Sequence, residues 1–144
     1  MLIGEHTHTV DAKRRVSFPA KFRKVLGSSV VVTRGLDSSL FVFSLPEWSR
    51  VAGKLETLSM GSTDSRAFTR FMLGSAALVG IDSLGRILVP EYLASYAGIT
   101  ETATIIGVSN RVEIWEPTRW QAYQARVLSD ADQLAARLGD IGAL

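Results

Sequence analysis

Apolar residues along this chain follow two spacings, and the switch between them marks the elements. Val16 and Phe18 alternate with polar neighbours, as do Ile87 and Val89, which is the period of a strand with one buried face. Runs at Thr7–Val10, Ser29–Thr33, Leu40–Phe43, Leu78–Ile81, Ala103–Gly107 and Arg111–Trp115 predict further strands, with turns at Gly35-Leu36-Asp37-Ser38 and Ser109-Asn110. Pro19 and Gly27, then Pro90 and Gly98, stand where a short helix begins and ends. Ser44 followed by Glu47 has capping-box spacing, after which Trp48, Val51, Ala52, Leu55 and Leu58 share one helical face. Met60-Gly61-Ser62-Thr63 breaks that helix. The pattern then predicts a helix over Asp64–Leu73, another from Pro117 carrying Trp120, Tyr123 and Val127, and a last one over Ser129–Leu144.

The pattern repeats. At a separation of 71 positions Asp11 matches Asp82, Arg15 matches Arg86, Pro19 matches Pro90 and Gly27 matches Gly98. Apolar character is kept at Val10/Ile81, Val16/Ile87, Phe18/Val89 and Phe22/Leu93. Further on, Val30–Thr33 resembles Thr104–Gly107, and Phe43 and Trp48 match Trp115 and Trp120 at a separation of 72. The chain therefore reads as a tandem duplication: a first module over residues 3–48, a helical insertion over 49–74, a second module over 75–120 and a helical tail over 121–144. A module of about 45 residues with four short strands cannot bury a core alone, and a second copy supplies the missing half.

Composition narrows the chemistry. With no cysteine among 144 residues, disulfide scaffolds, zinc ribbons and thiol nucleophiles drop out, and the composition suits a reducing cytosol. The first residues lack the charged-then-apolar order of a signal peptide, and no apolar run approaches the ~18 residues of a membrane span. The expectation is a cytoplasmic protein without cofactor, membrane or small-molecule partner. Net charge is only +2, but residues 1–34 hold seven basic groups (Lys13, Arg14, Arg15, Lys21, Arg23, Lys24, Arg34) against Glu5 and Asp11, and the remainder is net acidic. One basic face suits a polyanion.

The charge centres on the turns Asp11-Ala12-Lys13-Arg14-Arg15 and Asp82-Ser83-Leu84-Gly85-Arg86. An Asp that opens a turn accepts backbone N–H bonds and closes it, and Gly85 supplies a left-handed conformation at no steric cost. An Arg leaving such a turn can grip a phosphate or a guanine edge with two parallel hydrogen bonds. Alternatively, each Asp and Arg simply pair and hold their own hairpin. Three adjacent cations at Lys13, Arg14 and Arg15, enlarged by Lys21, Arg23 and Lys24, favour nucleic acid for the first copy. His6 and His8 alternate on one strand face, but two ligands make a poor metal site. No phosphate-cradling loop or nucleophile motif is present, so no enzymatic activity is expected.

The paired Asp-x-x-x-Arg turns, each followed by an apolar strand ending in Pro, and the two Pro…Trp segments resemble the MraZ family of bacterial transcriptional regulators, related to the AbrB and SpoVT group. The resemblance runs from Ile3 to about Trp120. It implies a β-rich α+β fold: two tandem AbrB-like swapped-hairpin modules forming one intrachain pseudo-dimeric, double-ψ-like β-barrel, with flanking and inserted helices. It further implies a ring-shaped homo-oligomer that binds double-stranded DNA at short direct repeats, upstream of its own gene and of the division and cell-wall gene cluster. Arg15 and Arg86 are the DNA-facing residues by this resemblance; Lys13, Arg14, Lys21 and Lys24 join them from local charge, and Asp11, Asp82 and Gly85 structure the turns. Arg14 departs from the family pattern, which has Gly there. Either the first turn pays for a left-handed Arg or it has another shape, and the asymmetry suggests that the first copy carries more of the electrostatic contact, with only Arg86, and Arg111 more distantly, helping from the second. Two other readings stay open: a protein-interaction module of antitoxin type, against which two copies and a mixed-charge tail argue, and a ring scaffold without DNA binding.

Overall fold

The computed structural model describes residues 1–144. In chain order its elements are β1 (Leu2–Thr9), β2 (Arg15–Ser17), α1 (Ala20–Leu26), β3 (Ser29–Arg34), β4 (Leu40–Ser44), α2 (Leu45–Glu56), α3 (Thr63–Met72), β5 (Ala77–Gly80), β6 (Arg86–Leu88), α4 (Glu91–Ala97), β7 (Thr102–Ser109), β8 (Val112–Trp115) and α5 (Pro117–Asp140). Local chemistry explains their limits. Pro19 and Pro90 precede α1 and α4, and Gly27 and Gly98 end them at φ +85° and +69°. The Oγ of Ser44 accepts the Glu47 N–H, and that of Ser62 accepts the Ser65 N–H. The helices expected from Pro117 and over Ser129–Leu144 are one helix, α5. Nothing between Val127 and Ser129 breaks it, and Leu128 and Ala131 favour its continuation.

The strands form a six-stranded antiparallel sheet, ordered β1-β7-β8-β4-β3-β5, and a separate two-stranded ladder, β2-β6. Apart from the hairpins β3–β4 and β7–β8 and a single Val10–Val16 bridge, every pairing joins one copy to the other. β1 of the first copy lies on β7 of the second, and β5 of the second lies on β3 of the first. Two pairings join a residue to its own counterpart: Val16 with Ile87, and Phe41 with Glu113. A pseudo-twofold axis therefore passes through both.

The symmetry fixes the alignment of the copies and corrects one detail of the sequence comparison. Ala103 pairs with His8 and Val30 with Val79, so Val30 corresponds to Ala103, and Thr33 to Ile106. The sequence match to Thr104–Gly107 is one residue out. A slip of one would send each side chain to the wrong face, whereas Val30, Val32, Ala103 and Ile105 all lie in one core. That core is built of counterparts. Val16, Phe18, Phe22, Leu26, Leu40 and Val42 meet Ile87, Val89, Leu93, Ala97, Val112 and Ile114 in it. Each large side chain so buried contributes roughly 1.5–3 kcal/mol. A smaller cluster of Phe43, Leu55 and Met72, bordered by Trp48, Val51 and Phe71, seats α2 and α3 on the sheet. No helix is long and apolar enough to cross a membrane.

Candidate nucleic-acid interface

The two turns are built alike. Asp11 Oδ1 accepts the N–H groups of Lys13 and Arg15, both at 2.9 Å, and its Oδ2 accepts Arg15 Nε at 2.5 Å. Asp82 Oδ1 accepts from Leu84 and Arg86 at 2.9 Å, and its Oδ2 accepts Arg86 Nε at 2.9 Å. The N–H of Arg14 donates to the Asp11 carbonyl and that of Gly85 to the Asp82 carbonyl, each at 2.9 Å. Backbone donation from Arg15, then its guanidinium and the Lys13 N–H, outweigh partial desolvation and hold the Asp11 carboxyl below the usual carboxylate range. Arg86 and Leu84 do the same for Asp82.

Arg14 adopts the same left-handed conformation as glycine, with φ +63° against +78° at Gly85. The first turn thus keeps its shape despite a conformational cost of roughly 1–2 kcal/mol. A tertiary contact offsets it: Arg14 Nε donates to the Val89 carbonyl at 3.1 Å. The pseudo-symmetric carbonyl, that of Phe18, accepts Arg23 Nε at 2.9 Å. The Arg23 guanidinium fills the space over Gly85, where any Cβ would collide with it. At the position corresponding to Arg23 the second copy has Ala94. Each corner of the molecule thus holds one guanidinium on one carbonyl, supplied by the turn at one corner and by α1 at the other.

The β2–β6 ladder draws the turns together, with Arg15 opposite Leu88 and Arg86 opposite Ser17. Arg86 Nη1 stands 3.9 Å from Asp11 Oδ2, so Arg15, Asp11, Arg86 and Asp82 form one charged row. The Arg15 and Arg86 side chains remain 34% and 26% exposed. Four guanidinium groups, of Arg14, Arg15, Arg23 and Arg86, are therefore oriented through Nε around the axis. Lys13 is exposed at the first tip, and its counterpart Leu84 is exposed at the second.

The other basic residues are placed differently. Lys21 is exposed on α1, with its ammonium 5.6 Å from the Phe22 ring centroid and near Gly4 of β1. Lys24 is exposed in the last turn of α1. Arg111 lies elsewhere: it pairs with Glu113 at 2.8 Å and covers the Phe41 ring, while Glu113 also accepts the Trp115 indole N–H. That network satisfies a buried carboxylate at the far end of the axis. His6 and His8 share a face of β1 with both Nε2 atoms buried and unpartnered, and no cluster of three or more His, Cys, Asp or Glu surrounds them. Burial, then Lys21 and His8, lower the His6 pKa. Sequence reasoning saw Arg23 only as added charge. The signal for its role was the pairing of Arg23 with Gly85 against Ala94 with Arg14.

The comparisons agree with this repeat architecture. The family model described as "MraZ protein, putative antitoxin-like" matches the chain twice, over residues 1–71 and 72–140. A protein of Acetivibrio thermocellus named transcriptional regulator MraZ is 44% identical over 142 residues, 99% of each chain. One of the same name from Thermoanaerobacter sp. (strain X514) is 47% identical over 98% of this chain and 99% of its own. A third, from Caldanaerobacter subterraneus subsp. tengcongensis, is 46% identical over 96% of both. With both halves matched and full-length relatives at this identity, the chain belongs to the MraZ family.

Proposed function

We propose that this protein is a sequence-specific DNA-binding transcriptional regulator whose contact surface is the arginine row on the pseudo-twofold axis. The observation that carries the reading is that four guanidinium groups are each fixed by an Nε hydrogen bond on two rigid turns and the adjoining helix. Arg15 and Arg86 then face base edges; Lys13 and Arg14, with Arg23 added, take phosphates, and Lys21 and Lys24 extend the field along the backbone. Leu84, exposed where the first turn has Lys13, offers the apolar contact that a thymine methyl takes. Arg23 of α1 stands at the second turn as Arg14 stands at the first, so both corners carry a guanidinium, and the first copy supplies both. The exchange of strands between copies supports the swapped-hairpin, double-ψ-like pseudo-dimer. The names of the relatives support regulation of transcription.

In this reading several chains in a ring engage short direct repeats upstream of the protein's own gene and of the division and cell-wall cluster, within the cytoplasmic nucleoid. One chain touches few bases, and matched spacing between chains raises effective concentration without new contacts. The test is binding of the purified chain to DNA upstream of its own gene, against unrelated DNA, across a salt series. Preferential binding that falls steeply with salt is expected. Arg15→Ala is expected to cost roughly 1–3 kcal/mol on the specific site. Equal weak binding to both DNAs, unchanged in Arg15→Ala, overturns the reading and favours a protein partner of the kind an antitoxin neutralises.

A further inference from the structure

The frame around the axis is two-fold, but its chemistry is not. At each corner the turn of one copy meets the start of the other copy's helix. The Phe18 N–H, two residues before α1, donates to the Gly85 carbonyl at 3.0 Å, and the Val89 N–H, two residues before α4, donates to the Arg14 carbonyl at 3.0 Å. α1 therefore belongs with the second turn, where Arg23 covers Gly85, and α4 with the first. The basic groups of the first copy are thereby split across the axis.

The first corner carries its cations on the turn itself, at Lys13, Arg14 and Arg15, while α4 opens with Glu91 and has Tyr92 and Ser95 where α1 has Lys21 and Lys24. At the second corner the arrangement is reversed. Lys21 and Lys24, three apart and so on one face of α1, are exposed, and Arg23 stands between them and the turn. The tip of that turn is Leu84, 63% exposed. Cations set back from an apolar tip match a major groove, whose rims are phosphates and whose floor offers one apolar group, the thymine methyl. A lysine at the tip, such as Lys13, takes a phosphate on any sequence. The Cα atoms of Leu84 and Arg86, two residues apart, lie within about 7 Å, which is two base-pair rises of about 3.4 Å.

We propose that Leu84 is a specificity-determining residue and that it orients the chain on DNA. The second turn packs Leu84 on a thymine methyl within two base pairs of the guanine that Arg86 reads, gripped from behind by α1. The first turn reads its guanine with Arg15 alone, and Lys13 holds a phosphate. A two-fold frame thus binds an asymmetric site in one polarity. The inference rests on the DNA reading proposed above and adds to it a base and a direction.

The test uses DNA upstream of the protein's own gene, with each thymine in turn replaced by deoxyuridine, which removes the methyl and keeps the base pair. Wild-type affinity is expected to fall about fourfold, the worth of one buried methyl, at one thymine per bound site. Leu84→Ala, with native circular dichroism, is expected to bind the unmodified DNA at least as weakly as wild type binds the uracil form, and to bind the two forms alike. Polarity is read with an iron–EDTA label. The chain has no cysteine, so Ala12→Cys and Ser83→Cys, at the exposed tips, each give one attachment point. The two labels are expected to cut at opposite ends of each site, the one at position 83 beside the sensitive thymine. Uracil without effect on wild type, equal sensitivity in Leu84→Ala, or cutting by both labels at both ends overturns the proposal, while specific binding that is lost in Arg15→Ala still upholds the DNA reading. A wild-type chain with no preference for this DNA overturns both.

Discussion

Gly85 is constrained twice, by its backbone and by a neighbouring side chain. Its φ of +78° strains any side chain, and the guanidinium of Arg23 occupies the place where a Cβ would go. Gly85→Ala is expected to cost roughly 1–3 kcal/mol from strain and collision together. In an Arg23→Ala background only the strain should remain, so a double-mutant cycle read by urea midpoints should show clear coupling. Titration acts at this scale too. The His6 pKa is lowered in the fold, so below its ordinary 6.5 the unfolded chain takes up the proton first and stability declines with acid. His6→Gln is expected to flatten the pH dependence of the urea midpoint below about pH 6.5. Asp11 and Asp82, also lowered, contribute stability that is present above 3.8 and lost as pH falls through their folded values. The Asp and Arg of each turn were legible in the sequence, because a turn is closed by residues two to four apart. The role of Arg23 was not, since it depends on which turn the fold lays across α1.

Elements bounded by local signals were readable for the same reason. Proline, glycine and serine caps mark α1, α2 and α4 within a residue or two, because a helix end is decided by the few groups left unpaired there. The cap of α5 escaped notice: Glu116 accepts the N–H groups of Thr118 and Arg119 at 3.0 and 2.8 Å. Burial alone would raise its pKa, and these backbone donors lower it instead. Glu116→Ala is expected to destabilise by ~1 kcal/mol and to loosen Trp120 from Trp115, which a shift in tryptophan emission would report. Registers were harder. β3 and β7 are buried on both faces, with Val31 and Thr104 buried beside Val30 and Ala103, so a one-residue slip matched buried positions with buried positions and left no trace in the pattern.

The duplication was visible in the sequence, but the partner of each strand was not, because strand pairing is set by packing between distant segments. Only the β3–β4 and β7–β8 hairpins close within a copy. Residues 1–71 and 72–144, produced separately, are therefore expected to lack a cooperative unfolding transition by circular dichroism. On mixing they should regain one. A pair of halves that each unfold cooperatively would show that the copies are independent domains. The pairing of β1 with β7 also bears on synthesis. Leu2–Thr9 leave the ribosome before their partner Thr102–Ser109, which follows about 100 residues later, at 5–20 residues per second roughly 5–20 s. Through that interval the nascent chain carries an unsatisfied strand that fits the β7 of any finished neighbour as well as its own. On a crowded polysome, prompt completion of each chain is what keeps the exchange of strands intramolecular.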